Sequence, residues 1–420
     1  MKQLQVSFEG RSVGTAFVEE SVTGDGFGFR YDPSWLAIPG FPISVRLPLR
    51  EAPWSARESH VFFANLLPEG PAREAITARL GLSPDNDVDL LIALGEDTAG
   101  ALRFTTTGES RTTERHERRR ITDDELTRWV QGDPALVATE ERLPRLSLAG
   151  ARHKMGVVLD GGEYFIPASD EPSTHLLKFD ALRFSHLAAN EFLTTAFARH
   201  LGLPTVSMEL DPRRERPFLV IQRYDRVPGA RVHRLHQEDF CQILGHLPAR
   251  KYEIEGGPGL QGIGESLRRH SSAPAADLLI LLRWALVQAL AANANGHGKN
   301  LSMVYTRQGL RLAPCYDLVC TGAYEHLDRR LAMAIASQRD PDKLRLRHAR
   351  DLAKSLGLRP RQGETELLRL LDAAEDALDQ ALATLSAAVG FTPAAERVEP
   401  VIRKRIRAVG NNVRQDRGDG

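Results

Sequence analysis

The pattern of apolar residues changes once along the chain, and this change constrains the fold more than any other feature. Up to about residue 236, short alternating runs separated by turn residues predict strands. Beyond it the apolar spacing is helical almost throughout, most clearly over 275–292, 343–356 and 364–388. A strand-rich front followed by a helical back predicts an α+β protein with two lobes and a cleft between them.

The front of the chain divides further. The first hundred residues predict a small α+β domain, in which Gly81 ends a helical pattern. From Ser147 onward the pattern is strand-like again, with a single helix. The predicted strands are 3–8, 27–31, 155–159, 174–179, 206–210 and 217–221, and the predicted helices of this part are 60–67, 72–80 and 187–201.

Composition narrows the class of protein. Lys and Arg together number 55, as do Asp and Glu. The formal net charge is therefore zero and does not indicate that the chain as a whole binds nucleic acid. Its three cysteines leave one unpaired in any disulfide scheme, which favours a reducing compartment. The N-terminus lacks the apolar run of a signal peptide, and the longest apolar stretch, 278–292, is interrupted by Arg283 and Gln288. We therefore expect a soluble cytoplasmic protein.

Residues 106–121 are polar and basic and show no apolar period. Arg115, Arg118, Arg119 and Arg120 could form an arm that binds phosphate groups. The alternative is a solvated surface loop, which is the usual structure of such a charge run.

The densest polar segment, 293–300, lies between an apolar helix and a predicted strand. It contains Asn295, His297 and Asn300, and a second predicted strand ends at Asp317. Amide and carboxylate oxygens across a hairpin suit Mg²⁺, which takes few protein oxygens together with substrate phosphates. The alternative is that asparagine and glycine only form turns here, with Asn300 capping one of them.

Two further features could hold phosphate groups. Lys178 lies at the end of an apolar strand, where a cation needs an anionic partner such as phosphate, together with a helical carboxylate such as Glu191. Strand-end lysines otherwise extend to solvent. The small residues at the start of 147–156 could present backbone N–H groups to phosphate, or form a plain β-turn.

Other known site motifs are absent or lie in the wrong sequence context. The G-x-G-x-x-G match at 257–262 contains a proline and does not lie between a strand and a helix, so a dinucleotide site is rejected. Cys315 and Cys320 have no second pair of zinc ligands. The chain has neither a G-x-S-x-G elbow nor an H-E-x-x-H helix.

An ordered series of motifs along nearly the whole chain resembles the HipA family of serine/threonine protein kinases, which are toxins of toxin–antitoxin systems. The motifs are FFANLLPEG (62–70), GEDTAGAL (95–102), SLAGA (147–151), STHLLK (173–178), NE (190–191), RYDR (223–226), HQEDFCQ (236–242), KYE (251–253), GGPG (256–259), HGKN (297–300) and YD (316–317). The combination is far more specific than any of its parts.

The resemblance implies a two-lobed protein-kinase-like fold, with a β-rich N-terminal lobe that carries an extra small subdomain and an all-helical C-terminal lobe. It implies ATP and Mg²⁺ as cofactors and protein substrates phosphorylated on Ser or Thr, which in this family include aminoacyl-tRNA synthetases. The implied partner is a helix-turn-helix antitoxin of the HipB type, through which the protein would mainly reach DNA. The expected domains are 1–105 (N-terminal subdomain), 106–121 (basic linker), 122–228 (remainder of the N-lobe), 229–410 (helical C-lobe) and 411–420 (flexible tail).

The resemblance also implies a role for individual residues. Asn300 and Asp317 would ligate Mg²⁺, while Asn295 and His297 occupy the catalytic loop. Ser147 would be an autophosphorylation site that controls the phosphate loop. The residues implied to hold the nucleotide are Ala149, Gly150, Ala151, Lys154, Lys178, Glu191, Lys299 and, near the adenine, Gln222, Arg223 and Tyr224.

One departure from the family pattern matters. The family has Asp two residues before the histidine of the catalytic loop, and this chain has Asn295 there. The aspartate orients the attacking hydroxyl and accepts its proton, and a carboxamide has no useful basicity. Three hypotheses remain: an engineered inactivation, a natural pseudokinase, or replacement of the base by His297 or Asp317.

The sequence therefore leaves three functions open. The first is a toxin kinase that is nearly inactive in this Asn295 form. The second is a non-catalytic co-repressor that acts with a helix-turn-helix antitoxin at its operator, where the arginine run at 115–120 would be an auxiliary DNA contact. The third is a kinase for a small molecule.

Overall fold

A computed structural model gives the fold of the chain. It describes residues 2–19, 26–38, 40–106, 117–131, 154–169, 171–180, 184–213, 216–229, 231–390 and 392–418, and the backbone of 146–147. The chain divides into two compact units. The N-terminal unit comprises 1–179 with 222–249, and the C-terminal unit comprises 180–221 with 250–420.

The strands and helices follow one another in an order that matches the predicted change from strand to helix. In chain order they are β1 (Gln3–Phe8), β2 (Arg11–Glu19), β3 (Gly26–Tyr31), α1 (Pro33–Leu36), α2 (Ala56–Ala64), α3 (Gly70–Leu80), α4 (Asp87–Leu94), β4 (Asp97–Thr98), β5 (Arg103–Thr106), β6 (Arg119–Arg120), α5 (Asp123–Val130), β7 (Leu146–Ser147), β8 (Lys154–Asp160), β9 (Glu163–Ile166), β10 (His175–Lys178), α6 (Leu187–His200), β11 (Met208–Asp211), β12 (Phe218–Gln222), β13 (Arg226–Val227), β14 (His233–Arg234), β15 (Gln237–Asp239), α7 (Phe240–Leu244), α8 (Leu260–His270), α9 (Pro274–Leu290), β16 (Ser302–Thr306), β17 (Gly309–Leu312), α10 (Leu346–Ser355), α11 (Pro360–Val389) and α12 (Pro393–Arg417).

The N-terminal unit opens with an antiparallel sheet in the order β3-β2-β1-β5. Alternation along β1 turns Leu4 and Val6 into the core while their neighbours stay accessible. Helix α2 covers the sheet, and its Phe63 contacts Phe27 with ring centroids 5.1 Å apart. An aromatic and aliphatic core of this kind stabilises a domain of about one hundred residues without disulfides.

A second set of strands in the same unit carries the predicted nucleotide residues. Strands β10, β8, β9 and β6 pair antiparallel in that order, which places Lys178 opposite Lys154. Strands β4 and β7 form a short parallel pair that aligns Thr98 with Ser147.

The C-terminal unit is mainly helical. Nearly every residue of α6 is buried, and this helix packs against α11 and α12. The expected all-helical lobe, 229–410, needs one correction, because the hairpin β16–β17 lies within it. The first strand of this hairpin, SMVYT, is rich in the β-branched and aromatic residues that favour strands over helices.

The expected flexible tail is wrong, and the expected linker lies only partly within the described residues. The expected flexible tail, 411–420, is part of α12 as far as Arg417, because Asn412 donates to the carbonyl of Leu344 and Val413 is buried. The expected linker, 106–121, includes strand residues at both ends, and its centre, 107–116, lies outside the described residues.

The described arginines of the run at 115–120 form ion pairs with carboxylates. Arg118 pairs with Asp160 and Glu171, while Arg119 and Arg120 pair with acidic residues of α5 and β9. These contacts favour the interpretation of a solvated, ion-paired surface over that of a phosphate-binding arm; Arg115 lies outside the described residues.

Across the part of the chain that the structure describes, none of the helices combines the length and the apolar character needed to cross a bilayer.

Candidate active site

The predicted catalytic loop, residues 293–300, follows α9 through a tight turn in the C-terminal unit. Ala292 has a φ of 51°, an uncommon left-handed backbone conformation for a residue with a side chain. The Thr321 hydroxyl accepts a hydrogen bond from the Ala294 N–H (2.7 Å) and donates one to the Ala292 carbonyl (3.0 Å). The Asn293 Oδ1 accepts from the Asn295 N–H at 2.9 Å. The start of the loop is therefore fixed by side-chain hydrogen bonds on both sides of the turn.

Asn295 is held at its side chain and at its backbone. The Tyr252 hydroxyl donates to its Oδ1 at 2.9 Å, and the Asn300 Nδ2 donates to its carbonyl oxygen at 2.7 Å. Asn295 also lines a cleft of about 320 Å³ in this unit. The side chain thus has a defined orientation and is accessible to a ligand in that cleft.

Asn300 and Asp317, the predicted metal ligands, lie on connected segments. Asn300 ends a short 3₁₀ turn, and the Tyr316 hydroxyl donates to the Lys299 carbonyl (2.8 Å) and shares a hydrogen bond with Ser302 (2.6 Å). These bonds tie the residue before Asp317 to the catalytic loop. The Asn300 Nδ2 closes the loop, as the turn-capping interpretation predicted. The Asn300 Oδ1 is then the atom that the predicted cation would contact.

The backbone of Asp317 is itself unusual, with a φ of 59°. Such conformations cost about 1–3 kcal/mol for most residues and occur preferentially at functional sites. Here the conformation comes after strand β17, which alternates between accessible and buried residues, and directly before the buried Leu318. The uncommon backbone conformation makes Asp317 a candidate functional residue.

His297 and Lys299 are both buried members of the loop. The His297 ring meets the ring of Tyr252 edge to face, with centroids 5.0 Å apart. The Asn300 N–H donates to the His297 carbonyl at 2.9 Å. His297 is thus part of the packing that holds Tyr252 against the loop.

The nucleotide residues of the N-terminal unit are described in part. Lys178 is buried at the end of β10, and Lys154 lies opposite it on β8. Ala149, Gly150 and Ala151 lie outside the described residues, as does the side chain of Ser147. Lys178 and Glu191 belong to different units, and their pairing stays a prediction.

The segment predicted to lie near adenine has a structural role that the sequence did not reveal. Arg223 belongs to a buried ion cluster, which we define as Asp97, Arg223, Asp225, Arg226 and Arg234. Within it Asp97 accepts from Arg226 at 2.9 Å and from Arg234 at 2.6 Å, and Arg223 bonds Asp225 at 2.8 Å. The Arg223 side chain is therefore committed to this cluster and is not aimed at a nucleotide.

The two neighbours of Arg223 differ from it. The Tyr224 hydroxyl donates to the Gln237 side chain, whereas Gln222 is exposed. The backbone of this segment, Gln222 and the ring of Tyr224 remain as candidates for contact with a base.

The electrostatics of the ion cluster are dominated by its arginines. Burial alone would raise the pKa of Asp225, but Arg223 and Arg226 outweigh it and lower the pKa to about 2. The pKa of Asp97 is likewise held well below its usual range, because its three arginine partners overcome the effect of burial. Both carboxylates are therefore ionised at neutral pH.

Three residues of the site were not predicted as such: Tyr252, Thr321 and Glu253. The Glu253 carboxylate accepts from the Ala334 N–H (2.7 Å) and from Arg339 (2.6 Å), which joins the Tyr252 segment to 334–339. The motif KYE contains Tyr252 and Glu253, and this Tyr-Glu pair close to a glycine run was the sequence feature that could have pointed to them. For Thr321, nothing in the sequence distinguishes it from other threonines.

Comparison with known proteins assigns the chain to a family. The model of the HipA N-terminal domain matches residues 4–105, and that of the HipA-like C-terminal domain matches residues 146–378. Y4mE of Sinorhizobium fredii is 41% identical over 351 residues, covering 80% of this chain and 82% of that protein. The serine/threonine-protein kinase toxin HipA of Shewanella oneidensis is 34% identical over 337 residues, covering 77% of this chain and 76% of that protein.

A solved structure agrees with these matches. The complex of HipA, HipB and operator DNA from Shewanella oneidensis MR-1 contains a chain that superimposes with a TM-score of 0.81 at 28% identity, covering 96% of both chains. The predicted α+β, kinase-like fold is confirmed by this match. The chain therefore belongs to the HipA family.

Proposed function

We propose that this chain is a HipA-type toxin with a serine/threonine kinase site that binds ATP and Mg²⁺, and that Asn295 slows its phosphoryl transfer. The observation that carries the proposal is the environment of Asn295, whose side chain and carbonyl are both fixed and which lines an accessible cleft. With Asp at this position, the site would transfer the ATP γ-phosphate to Ser or Thr of a protein target and to Ser147.

The donor set fits a magnesium ion. Asn300 offers an amide oxygen and Asp317 a carboxylate, and the bonds of Tyr316 hold their segments together. Few protein oxygens and several phosphate oxygens are what Mg²⁺ prefers. When bound, the ion would neutralise charge on the phosphates. Lys178, buried at its strand end, is the proposed partner of the ATP phosphates.

The role of residue 295 follows from its contacts. An aspartate here would accept the same hydrogen bond from Tyr252 and keep a second oxygen for the proton of the attacking hydroxyl. The carboxamide accepts the bond but cannot accept the proton. General-base catalysis contributes roughly 10²- to 10⁴-fold, so turnover of the Asn295 form falls by about that factor while ATP binding remains.

The relatives support a proposal for the partners. The Shewanella complex contains HipB and operator DNA, which supports a HipB-like, DNA-binding antitoxin as the partner of this chain. The proposed substrate is a protein, and an aminoacyl-tRNA synthetase is the class that family membership favours. A co-repressor without catalysis is the second candidate, because Asn295 would leave antitoxin and DNA contacts intact.

The experiment compares the chain as it stands with Asn295→Asp, using labelled ATP, Mg²⁺ and a protein extract. We expect the Asp form to incorporate at least about 10²-fold more phosphate. Asn295→Asp combined with Asp317→Asn is the matched control, because it restores the base and removes a metal ligand; it should be inactive.

The affinity for the nucleotide is measured separately by calorimetry. The chain as it stands should bind ATP with Mg²⁺ about as tightly as the Asp form does. An Asp form that binds ATP but labels nothing would favour the co-repressor. Equal labelling by both forms would instead place the base on His297 or Asp317, against the proposal.

A further inference from the structure

The turn that follows Tyr252 is a rigid element beside residue 295. The Glu255 N–H and the Gly257 N–H both donate to the Tyr252 carbonyl at 3.0 Å. A side chain at Gly257 would lie 2.0 Å from the Arg250 carbonyl, so only glycine fits. The first two residues of the glycine run, Gly256 and Gly257, thus close a tight turn.

This turn, residues 252–257, is anchored on two sides. Tyr252 bonds Asn295 on the catalytic loop, and Glu253 bonds both the Ala334 N–H and Arg339. The orientation of its two central residues is therefore fixed relative to the position of the catalytic base.

Those two residues, Ile254 and Glu255, line the same cleft of about 320 Å³ as Asn295. Ile254 is 61% exposed, although an aliphatic side chain of this size is normally buried. A volume of about 320 Å³ accommodates two or three side chains of a peptide and is at the small end of ligand pockets. The cleft therefore offers apolar surface and room next to the catalytic position.

The charged side chains of the cleft differ in whether they form ion pairs. Arg330 pairs with Asp328 at 2.7 Å, and Arg339 pairs with Glu253 at 2.6 Å. Glu255 is exposed and has no ion-pair partner within the described ranges. The charge that remains for a ligand is negative, and it lies next to the exposed Ile254.

We propose that this cleft binds the phosphoacceptor segment of a protein, with the Ser or Thr at residue 295, an aliphatic neighbour against Ile254 and a basic side chain facing Glu255. The inference rests on the proposed kinase function and names the sequence class that the site selects. The chain's own sequence contains such a segment, Arg145-Leu146-Ser147-Leu148.

The binding test uses a fluorescent peptide with the sequence of residues 140–153 and the chain as it stands, saturated with ATP and Mg²⁺. Glu255→Lys should weaken binding about 3- to 10-fold, because an attraction becomes a repulsion near the surface. Ile254→Ser should weaken it about 3- to 20-fold through lost apolar contact. A peptide with Glu in place of Arg145 should prefer the Glu255→Lys protein, which a general loss of structure could not produce.

Matched controls are available on the same chain. Glu209→Lys makes the same charge change at an exposed strand position, and Leu247→Ser removes another exposed aliphatic side chain. Both should bind the peptide like the parent protein. ATP affinity, measured for every variant, reports on correct folding.

The kinetic test separates this inference from the proposed function. In the Asn295→Asp form, Ile254→Ser and Glu255→Lys should raise KM for the peptide and leave KM for ATP unchanged. Failure of the Asp form to label any protein would overturn the proposed function and leave the binding result to decide on the cleft. Peptide that does not bind at millimolar concentration, or binding and labelling indifferent to both substitutions, would overturn the inference.

Discussion

Two buried polar regions of this protein are built from different groups. The buried ion cluster of the N-terminal unit joins two carboxylates to three guanidinium groups. The catalytic loop of the C-terminal unit is instead fixed by amides, hydroxyls and backbone groups. In the cluster, pairing of opposite charges locks the β4 segment to the 223–234 segment. In the loop, neutral hydrogen bonds set the geometry, so charge brought by a ligand is not already balanced by the groups that hold the loop.

The largest effect should come from breaking the cluster. Asp97→Asn removes one of two carboxylates that serve three buried arginines, and breaking a buried ion pair from one side costs about 3–5 kcal/mol. Urea denaturation should show a correspondingly lower midpoint. Asp160→Asn is the matched control, because Asp160 pairs with Arg118 at the surface, where an ion pair contributes less than about 1 kcal/mol. Equal effects of the two substitutions would contradict this account of the cluster.

A second effect concerns pH and again belongs to the N-terminal unit. Burial lowers the pKa of His236 to about 4, against the opposing hydrogen bond to the Ile43 carbonyl (2.8 Å). The folded state thus favours the neutral ring. Its contribution is complete above the unfolded pKa of about 6.5 and is lost as the pH falls from there to about 4, a total of about 3 kcal/mol.

Urea denaturation at pH 7, 6, 5 and 4.5 measures this loss. The unfolding free energy of the chain should fall steadily as the pH falls through this range. The His236→Gln variant should have a lower unfolding free energy at pH 7, and that free energy should depend less on pH. The ion cluster contributes little to this loss, because the pKa of Asp225 is lowered to about 2 and its stabilisation starts to be lost only near the unfolded pKa of about 4, below the pH range measured. An unchanged slope in His236→Gln would assign the pH dependence to other groups.

The smallest change in stability should accompany a specific change in catalysis. Tyr252→Phe removes the hydroxyl that bonds residue 295, at a cost of about 1 kcal/mol in unfolding free energy. In the Asn295→Asp form the bond is made to a carboxylate, so its loss should lower kcat about tenfold and move the acid limb of the pH profile upward. Tyr324→Phe is the matched control, because it removes a hydroxyl that contacts the Ser185 carbonyl at 3.4 Å instead of residue 295; it should leave kcat and its pH profile unchanged. If Tyr252→Phe has no effect on kcat, Tyr252 does not position residue 295.

The sequence predicted the elements whose apolar pattern is strong. Helix α9 and the loop after it lie where expected, because a buried helix followed by asparagine and glycine leaves few alternatives. The metal residues Asn300 and Asp317 lie on segments that hydrogen bonds connect. Their role as ligands stays a proposal.

What the sequence could not predict depends on partners far away along the chain. Arg223 bonds the Thr98 carbonyl, 125 residues earlier, and the Tyr252–Asn295 bond spans 43 residues. The end of α12 is polar and resembles a frayed tail, yet Asp416 accepts a hydrogen bond from the Leu346 N–H. Local pattern carries no information on such contacts, because they form only after the chain has folded.

The left-handed backbone of Asp317 limits which residues can replace it during evolution or in the laboratory. Glycine and asparagine tolerate a φ of 59°, whereas alanine or glutamate would strain the segment between β17 and the buried Leu318. Asparagine at this position removes the charge and keeps the backbone. Alanine would change both at once, so an inactive alanine variant would not show whether the carboxylate or the chain path had been lost.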